Sequence, residues 1–286
     1  MPSKYTGVVV PMLSPFTPGG SIDEPAVGRI VDRLLTGKPA GIFPLGTTGE
    51  SASISQSEKK KLIATTVKAV AGRAMNYAGI SANVFTDSLE LAQVAKDNGV
   101  DAVVAHVPSY FGLTDADIEA YYLKLADAVP LPLVLYNIPP TTHHSIALDV
   151  VGRLIQHPNV VAIKDSAGDA DRLTKLLALT GGRGGFPVLL GSSAFFTHGL
   201  KAGGVGLIPS GSHIAPVEYG QMFEAAMRDD WAEVERLQTV TDAAVSAYVK
   251  GRTIGEGLAR LKKILSTQNI CGPTMLPPLR DNVEAV

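Results

Sequence analysis

Short apolar runs alternate along this chain with longer segments in which apolar residues recur every three or four positions. A run of the first kind predicts a buried strand, and a segment of the second kind predicts an amphipathic helix. We interpret eight runs as strands, at about 6–11, 41–45, 76–80, 102–106, 132–136, 160–164, 187–191 and 205–209. Seven helical segments separate or follow them, at 23–36, 56–70, 87–96, 115–128, 147–155, 171–179 and 193–201.

This alternation of strand and helix predicts an α/β fold, a closed (β/α)8 TIM barrel, for residues 1–215. Short connections between strands and crossover helices suit such a barrel, which takes about 200 to 250 residues. An open, doubly wound sheet of eight strands is the alternative. Further helices are predicted at 216–228, 231–250 and 253–266. Residues 216–286 are therefore expected to form the last barrel helix and a C-terminal helical appendage, packed as one unit with the barrel.

Composition narrows the possible partners. The 286 residues are 45% hydrophobic and carry a net charge of -2 with the two signs interspersed, which argues against binding to nucleic acid or to an anionic membrane. No apolar run approaches the roughly 20 residues that span a bilayer. The start of the chain resembles no signal peptide, so we expect a cytoplasmic protein. A lone cysteine, Cys271, excludes an internal disulfide. The expected partner is a small molecule.

In a (β/α)8 barrel the active site is built at the carboxyl ends of the strands. Lys164 ends the sixth predicted strand, where an apolar environment disfavours the ammonium form. A neutral amine is the form that attacks a carbonyl carbon to make a Schiff base. The alternative is a structural ion pair between Lys164 and either Asp165 or Asp169.

Two other strand ends carry groups that suit such chemistry. Gly46–Gly49 places two threonine hydroxyls between flexible glycines, which suits a small carboxylate, although an ordinary loop with hydroxyl side chains would look the same. Tyr136 follows an apolar strand on the neighbouring predicted element and could relay a proton. By itself, it could equally be a packed ring with one satisfied hydroxyl.

Some polar clusters are better explained without chemistry. His143 and His144 are adjacent and point apart, with no third ligand at a suitable spacing, so we expect no metal site there. The glycine-rich segment 181–185 precedes the seventh strand and is interpreted as a turn. The run Lys59–Lys61 is predicted to form a solvated helix face.

Taken together, Gly46–Glu50, Tyr136–Pro139, Ile163–Ser166 and Gly203–Gly206 resemble the dihydrodipicolinate synthase and N-acetylneuraminate lyase family. The resemblance covers almost the whole chain, and four motifs in order make it specific. It implies a (β/α)8 barrel that works through a Schiff base with pyruvate or another 2-oxo acid. It further implies that no cofactor is needed and that the chain forms a homotetramer or homodimer.

The resemblance also implies roles for particular residues. Lys164 would form the Schiff base and Tyr136 would relay protons. Thr47 and Thr48 would bind the carboxylate of the 2-oxo acid, with Thr48 linking Tyr136 into the relay. Tyr110 resembles a catalytic tyrosine that the family inserts from a neighbouring subunit.

The remaining substrate-binding residues expected from these strand ends are Ser166, Gly191, Ile208 and Ser210. Of these, Ser166 would contact the substrate through its hydroxyl. Ile208 matches a position whose backbone carbonyl lies near bound pyruvate.

Two departures from the family narrow the substrate. Thr141 stands where the synthases carry an arginine that holds the carboxylate of their second substrate, and Ser192–Ala194 stands where sialic acid lyases carry acidic residues. The segment Lys164–Asp169 resembles the aldolases of 4-hydroxy-2-oxoglutarate and of 2-keto-3-deoxy sugar acids, and this resemblance implies an aldolase of one of those substrates. A sugar acid dehydratase is the close alternative, and dihydrodipicolinate synthase is disfavoured. A catalytically silent 2-oxo acid binding protein is a hypothesis of another class. A metal-dependent aldolase lacks ligands in the sequence.

Overall fold

The structure, a computed structural model, describes residues 3–281 and contains a closed barrel of eight parallel strands. Each strand pairs with the next in sequence, and the last pairs with the first. The predicted (β/α)8 fold and all eight predicted strands are confirmed. The strands are β1 Gly7–Pro11, β2 Gly41–Phe43, β3 Met75–Gly79, β4 Ala102–Ala105, β5 Leu133–Asn137, β6 Val160–Asp165, β7 Val188–Leu190 and β8 Gly206–Leu207.

Helices follow the strands and surround the barrel. A short helix, α5, was absent from the sequence prediction, because two prolines open it and it is only one turn long. The helices are α1 Glu24–Leu35, α2 Gln56–Val70, α3 Phe85–Asp97, α4 Asp115–Ala128, α5 Pro139–Thr142, α6 Leu148–Leu154, α7 Ala170–Thr180, α8 Phe196–Lys201, α9 Pro216–Met227, α10 Trp231–Val249 and α11 Ile254–Ser266.

Local capping explains where several helices begin. Thr114 accepts a hydrogen bond from the Asp117 amide and Asp117 reaches back to the Thr114 amide, which closes a capping box at α4. Thr253 and Glu256 make the same arrangement at α11. These exchanges satisfy amides that the first helical turn leaves without a partner. The start of α11 matters for function, since it lies over the barrel mouth.

The core has two layers. A large outer cluster lies between the strands and the helices, and a smaller inner cluster fills the barrel. Successive side chains of a strand point to opposite faces, so Ala162 and Lys164 of β6 both point into the barrel, as do Val134 and Tyr136 of β5. The alternation that buries the inner cluster therefore also aims Lys164 at the barrel mouth.

One helix differs from its predicted exposure. Lys59 of α2 is only 8% exposed, so the expected solvated lysine face is wrong at this position. Lys60 does reach solvent and pairs with Glu90. Three adjacent helical residues face different directions, which is why one of them can be buried.

No helix among residues 3–281 is long and apolar enough to cross a membrane. The division of the chain into residues 1–215 and 216–286 stays a prediction, and its first two and last five residues lie outside the described residues.

Candidate active site

Lys164 lies at the inner face of β6, almost closed off from water at 4% exposure. It pairs in register with Tyr136 of β5, and its Nζ lies 3.8 Å from the centroid of the Tyr136 ring. The Phe43 ring contributes a second aromatic face at 5.2 Å. The amine is thus held among rings at the end of a buried strand.

The two aspartates that might have paired with Lys164 have other partners. Asp165 points to the opposite face of β6, where its Oδ2 accepts hydrogen bonds from Arg172 at 3.0 Å and Asn137 at 2.9 Å. Asp169 caps α7 by accepting from the Arg172 amide. Within residues 3–281, no carboxylate lies within ion-pair distance of Lys164. The structural ion pair considered for this lysine is therefore wrong.

The Tyr136 hydroxyl lies 3.2 Å from the Thr47 hydroxyl. The sequence analysis assigned this link to Thr48, and that assignment is wrong, because adjacent residues of the turn point in different directions. Thr48 instead lines the cavity beside Lys164. A tyrosine and a threonine hydroxyl in contact can pass a proton between them.

These residues surround a cavity of about 230 Å³ at the barrel mouth, here called the reactive cavity. Eight of the nine predicted site residues line it, and Lys164 is the one charged side chain among its described lining residues. The eight are Thr47, Thr48, Tyr136, Lys164, Ser166, Gly191, Ile208 and Ser210.

Gly191 shows how tightly the floor of this cavity is packed. A Cβ at this position would lie 1.9 Å from the Ser166 hydroxyl oxygen and 3.1 Å from Cε of Lys164. No side chain fits there without moving one of those groups. The glycine at the end of β7 thus leaves room for both Ser166 and the lysine.

The sequence analysis missed the residues that form the roof of the reactive cavity. They come from the end of α10 and the start of α11, namely Tyr248, Val249, Ile254, Gly257 and Leu258. The Tyr248 hydroxyl lies 2.7 Å from the Ser210 hydroxyl, so the appendage is joined to the end of β8. Nothing local in the sequence of α10 marks these residues as part of a site.

A second cavity of about 410 Å³ adjoins the reactive cavity and shares Thr47, Ile254 and Leu258 with it. His106, Ser109 and Thr141 lie in its wall. Burial lowers the pKa of His106, and its Nδ1 lies 2.8 Å from the Val107 carbonyl oxygen. A neutral imidazole with Nδ1–H donating would leave Nε2 as an acceptor.

Tyr110 is the predicted residue that the structure keeps apart from the reactive cavity. It is 81% exposed after β4 and packs edge-on against Phe111, which is also exposed. Its expected action in a neighbouring subunit stays a prediction. His143 and His144 form a loop feature, in which His144 Nε2 contacts the Phe111 carbonyl oxygen at 2.8 Å.

Comparison with known proteins gives consistent matches over the length of the chain. The model of the Dihydrodipicolinate synthetase family matches residues 4–280. A 4-hydroxy-tetrahydrodipicolinate synthase of Thioalkalivibrio sulfidiphilus is 34% identical over 238 residues, which cover 83% of this chain and 80% of that protein. The corresponding synthase of Hyphomonas neptunium is 30% identical, with 96% and 92% covered.

The fold comparison agrees with these matches. The structure of dihydrodipicolinate synthase from Bacteroides thetaiotaomicron superposes with a TM-score of 0.92 at 29% identity, covering 99% of this chain and 95% of that one. The 4-hydroxy-tetrahydrodipicolinate synthase of Methylacidiphilum fumariolicum has a TM-score of 0.88 at 27% identity, with 97% and 91% covered.

Proposed function

This chain belongs to the dihydrodipicolinate synthetase family, and we propose that it is a class I aldolase of hydroxylated 2-oxo acids that works through a Schiff base on Lys164. One observation carries the proposal. The Lys164 amine faces the reactive cavity and has no carboxylate partner among residues 3–281, and it lies beside the hydrogen-bonded hydroxyls of Tyr136 and Thr47. A catalytically silent binding protein would need neither the reactive amine nor the proton relay.

The proposed reaction starts when the neutral amine of Lys164 attacks C2 of the 2-oxo acid and water leaves. The resulting iminium draws the electrons of the C3–C4 bond, so that bond breaks and an enamine forms. The Tyr136 hydroxyl gives its proton to the departing water when the iminium forms. Its phenolate oxygen then takes the proton of the C4 hydroxyl, which becomes the carbonyl of the released aldehyde. Protonation of the enamine at C3 and hydrolysis of the iminium then free pyruvate and restore the amine.

Binding of the substrate carboxylate is assigned to Thr47 and Thr48. Their hydroxyls can donate hydrogen bonds without adding charge near Lys164, and they fix C2 relative to the amine. Ser166, Gly191, Ile208 and Ser210 are proposed to contact the rest of the substrate. Because the iminium supplies the electron sink, the reaction is proposed to need no cofactor.

Among the expected substrates we favour a 2-keto-3-deoxy sugar acid over 4-hydroxy-2-oxoglutarate. The second of these carries another carboxylate, and the described lining residues of the two cavities supply no lysine or arginine besides Lys164. Thr141, at the place of the arginine of the synthases, offers a hydroxyl. Serine and threonine side chains in these walls suit the hydroxyls of a sugar chain.

The first test is reduction with borohydride in the presence of pyruvate, followed by mass spectrometry of the digested protein. A reduced pyruvate adduct is expected on the peptide that contains Lys164, and its absence would contradict the Schiff-base proposal. A panel of hydroxylated 2-oxo acids then separates the reactions. Release of pyruvate indicates an aldolase, and an intact carbon skeleton that has lost water indicates a dehydratase.

Dihydrodipicolinate synthase is the second candidate, because the similar proteins above carry that name. Formation of 4-hydroxy-tetrahydrodipicolinate from pyruvate and an amino aldehyde acid, an aldehyde that also carries an amino group and a carboxylate, would support the synthase function. We expect little such product, because the carboxylate of the amino aldehyde acid would meet Thr141 instead of a cation.

We further propose that the chain assembles as a homotetramer or homodimer in which Tyr110 approaches the cavity of another copy. The exposed pair of Tyr110 and Phe111 supports a contact at this loop. Light scattering on the intact protein and on Tyr110→Ala would test it. An unchanged oligomer with unchanged turnover would contradict the proposal. The cytoplasmic location stays a prediction.

A further inference from the structure

Residues 46–50 form a turn, here called the threonine turn, that carries Thr47, Thr48 and Glu50. The Glu50 side chain does not line the reactive cavity. The backbone of Glu50 is left-handed, with φ at 54°. Its amide donates to the Thr47 carbonyl at 3.1 Å, and the Gly49 amide donates to the Gly46 carbonyl at 3.0 Å. Because these bonds are consecutive, a movement of Glu50 would be passed directly to Thr47 and Thr48.

The Glu50 carboxylate is fully buried and pairs with the equally buried Lys262 of α11. Its second oxygen accepts a hydrogen bond from the Leu276 amide at 3.3 Å. Lys262 in turn donates to the Thr274 carbonyl at 2.9 Å and lies 4.1 Å from the Phe16 ring centroid. One ion pair therefore joins the threonine turn, α11 and the tail, defined here as residues 272–279.

The tail continues from these anchored residues into the cavity wall. Pro278 and Leu279 line the second cavity together with Thr47 and Glu50. Leu279 also packs against α11, where a Cβ on Gly255 would lie 2.6 Å from it. The start of α11 and the tail thus line the second cavity together with Thr47 of the threonine turn.

We propose that the Glu50–Lys262 pair positions Thr47 and Thr48 to bind the substrate carboxylate. This inference rests on the proposed function, since it concerns the same cavity. Burying two charges costs desolvation that their attraction only partly offsets, so a buried pair is a poor device for stability alone. The pair does fix the orientation of the Glu50 side chain, because each of its two carboxylate oxygens has a defined partner. Glu50 and Lys262 are positioning residues, as neither touches the reactive cavity.

The test compares ligands with and without a carboxylate. Glu50→Gln keeps the shape of the side chain and removes its charge, and the double variant Glu50→Gln/Lys262→Met leaves no unpaired buried charge. Borohydride trapping is measured against the concentration of pyruvate and of pyruvamide, which lacks the carboxylate. In both variants the half-saturating pyruvate concentration should rise roughly tenfold, and that of pyruvamide by no more than about twofold.

Leu237→Val is the matched control, because it removes a buried methylene group in α10 without touching the turn. It should lower the unfolding temperature and leave both half-saturating concentrations unchanged. Equal shifts for pyruvate and pyruvamide in the Glu50 variants would indicate a merely structural role and overturn the proposal. An unchanged value for pyruvate would overturn it as well.

A second measurement separates this proposal from the proposed function. If the wild-type protein traps neither ligand, the Schiff-base function fails, and hydrogen exchange of the amides in residues 46–51 decides the role of the pair. Faster exchange there in Glu50→Gln than in wild type and Leu237→Val would support positioning of the turn. Equal exchange in all three proteins would overturn it.

Discussion

Lys164 and Lys262 are both withdrawn from water, with 4% and 0% exposure, but their surroundings differ. Lys262 is enclosed by the Glu50 carboxylate, the Thr274 carbonyl and the Phe16 ring. Lys164 faces the rings of Tyr136 and Phe43 and opens onto a cavity. The Lys262 amine has all its partners within the protein, whereas the Lys164 amine has space beside it for a substrate.

Burial alone therefore does not identify a reactive lysine. Burial lowers the pKa of Lys262 and raises that of Glu50, while their mutual attraction opposes both shifts. Burial likewise lowers the pKa of Lys59, which lies outside the reactive cavity. What distinguishes Lys164 is the combination of burial, a neighbouring pair of hydroxyls, and the lack of any carboxylate within ion-pair distance among residues 3–281.

The strongest test of this comparison replaces Lys164 by arginine, another long basic side chain. A guanidinium does not lose its proton in a protein, so no Schiff base can form and turnover should fall by about 10⁵-fold or more. Mass spectrometry after borohydride reduction should find no pyruvate adduct. An adduct on another lysine in this variant would show that the comparison selected the wrong residue.

Tyr136→Phe separates the ring beside Lys164 from its hydroxyl. The ring contact at 3.8 Å should persist, whereas the hydrogen bond to Thr47 is lost. Turnover should fall by about 10² to 10⁴-fold, the usual contribution of a general acid or base. Pyruvate trapping on Lys164 serves as the control and should still occur. Equal turnover in the variant would remove Tyr136 from the proton relay.

Lys262→Met addresses the paired lysine and leaves Glu50 buried without its cation. The free energy of unfolding, measured by urea titration, should fall by about 3 to 5 kcal/mol. The double variant with Glu50→Gln should recover most of that loss. Lys175→Met, which breaks an exposed pair with Asp171, is the control and should have little effect. If Lys262→Met is as stable as wild type, the ion pair with Glu50 is not what distinguishes Lys262 from Lys164.

His213 extends the comparison to a buried base that must stay neutral. Its Nε2 accepts a hydrogen bond from the Leu13 amide at 3.1 Å, and burial lowers its pKa to about 4. The folded state therefore binds fewer protons than the unfolded state, and stability should decrease as the pH falls from about 6.5 to 4, by about 3 kcal/mol in total.

Urea titrations at several pH values would measure this slope. His213→Gln, which has no titrating group there, should show a smaller decrease over the same range. An identical slope in wild type and variant would mean that other groups cause the loss of stability.

Much of the fold follows from local patterns. The strands could be predicted because buried parallel strands are short apolar runs, and the barrel because each run is followed by a helix. Lys164 and Tyr136 could be singled out for the same reason, since each ends such a run and neighbouring strands end at the same edge.

The rest depends on contacts between distant parts of the chain. Tyr248 forms part of the roof only because α10 lies over the barrel, and Glu50 meets Lys262 only because α11 packs against the threonine turn. The choice between Thr47 and Thr48 depends on the dihedral angles of one turn. A pattern of residue types contains none of this information.

The pairing of Glu50 with Lys262 and the tail has a consequence for the order of synthesis. Glu50 leaves the ribosome well before Lys262, Thr274 and Leu276 are made. Until then the carboxylate has neither its cation nor its backbone donor, and it stays hydrated. A nascent chain can close its barrel before it has completed the turn that holds Thr47 and Thr48, so folding and competence to bind substrate are separate events.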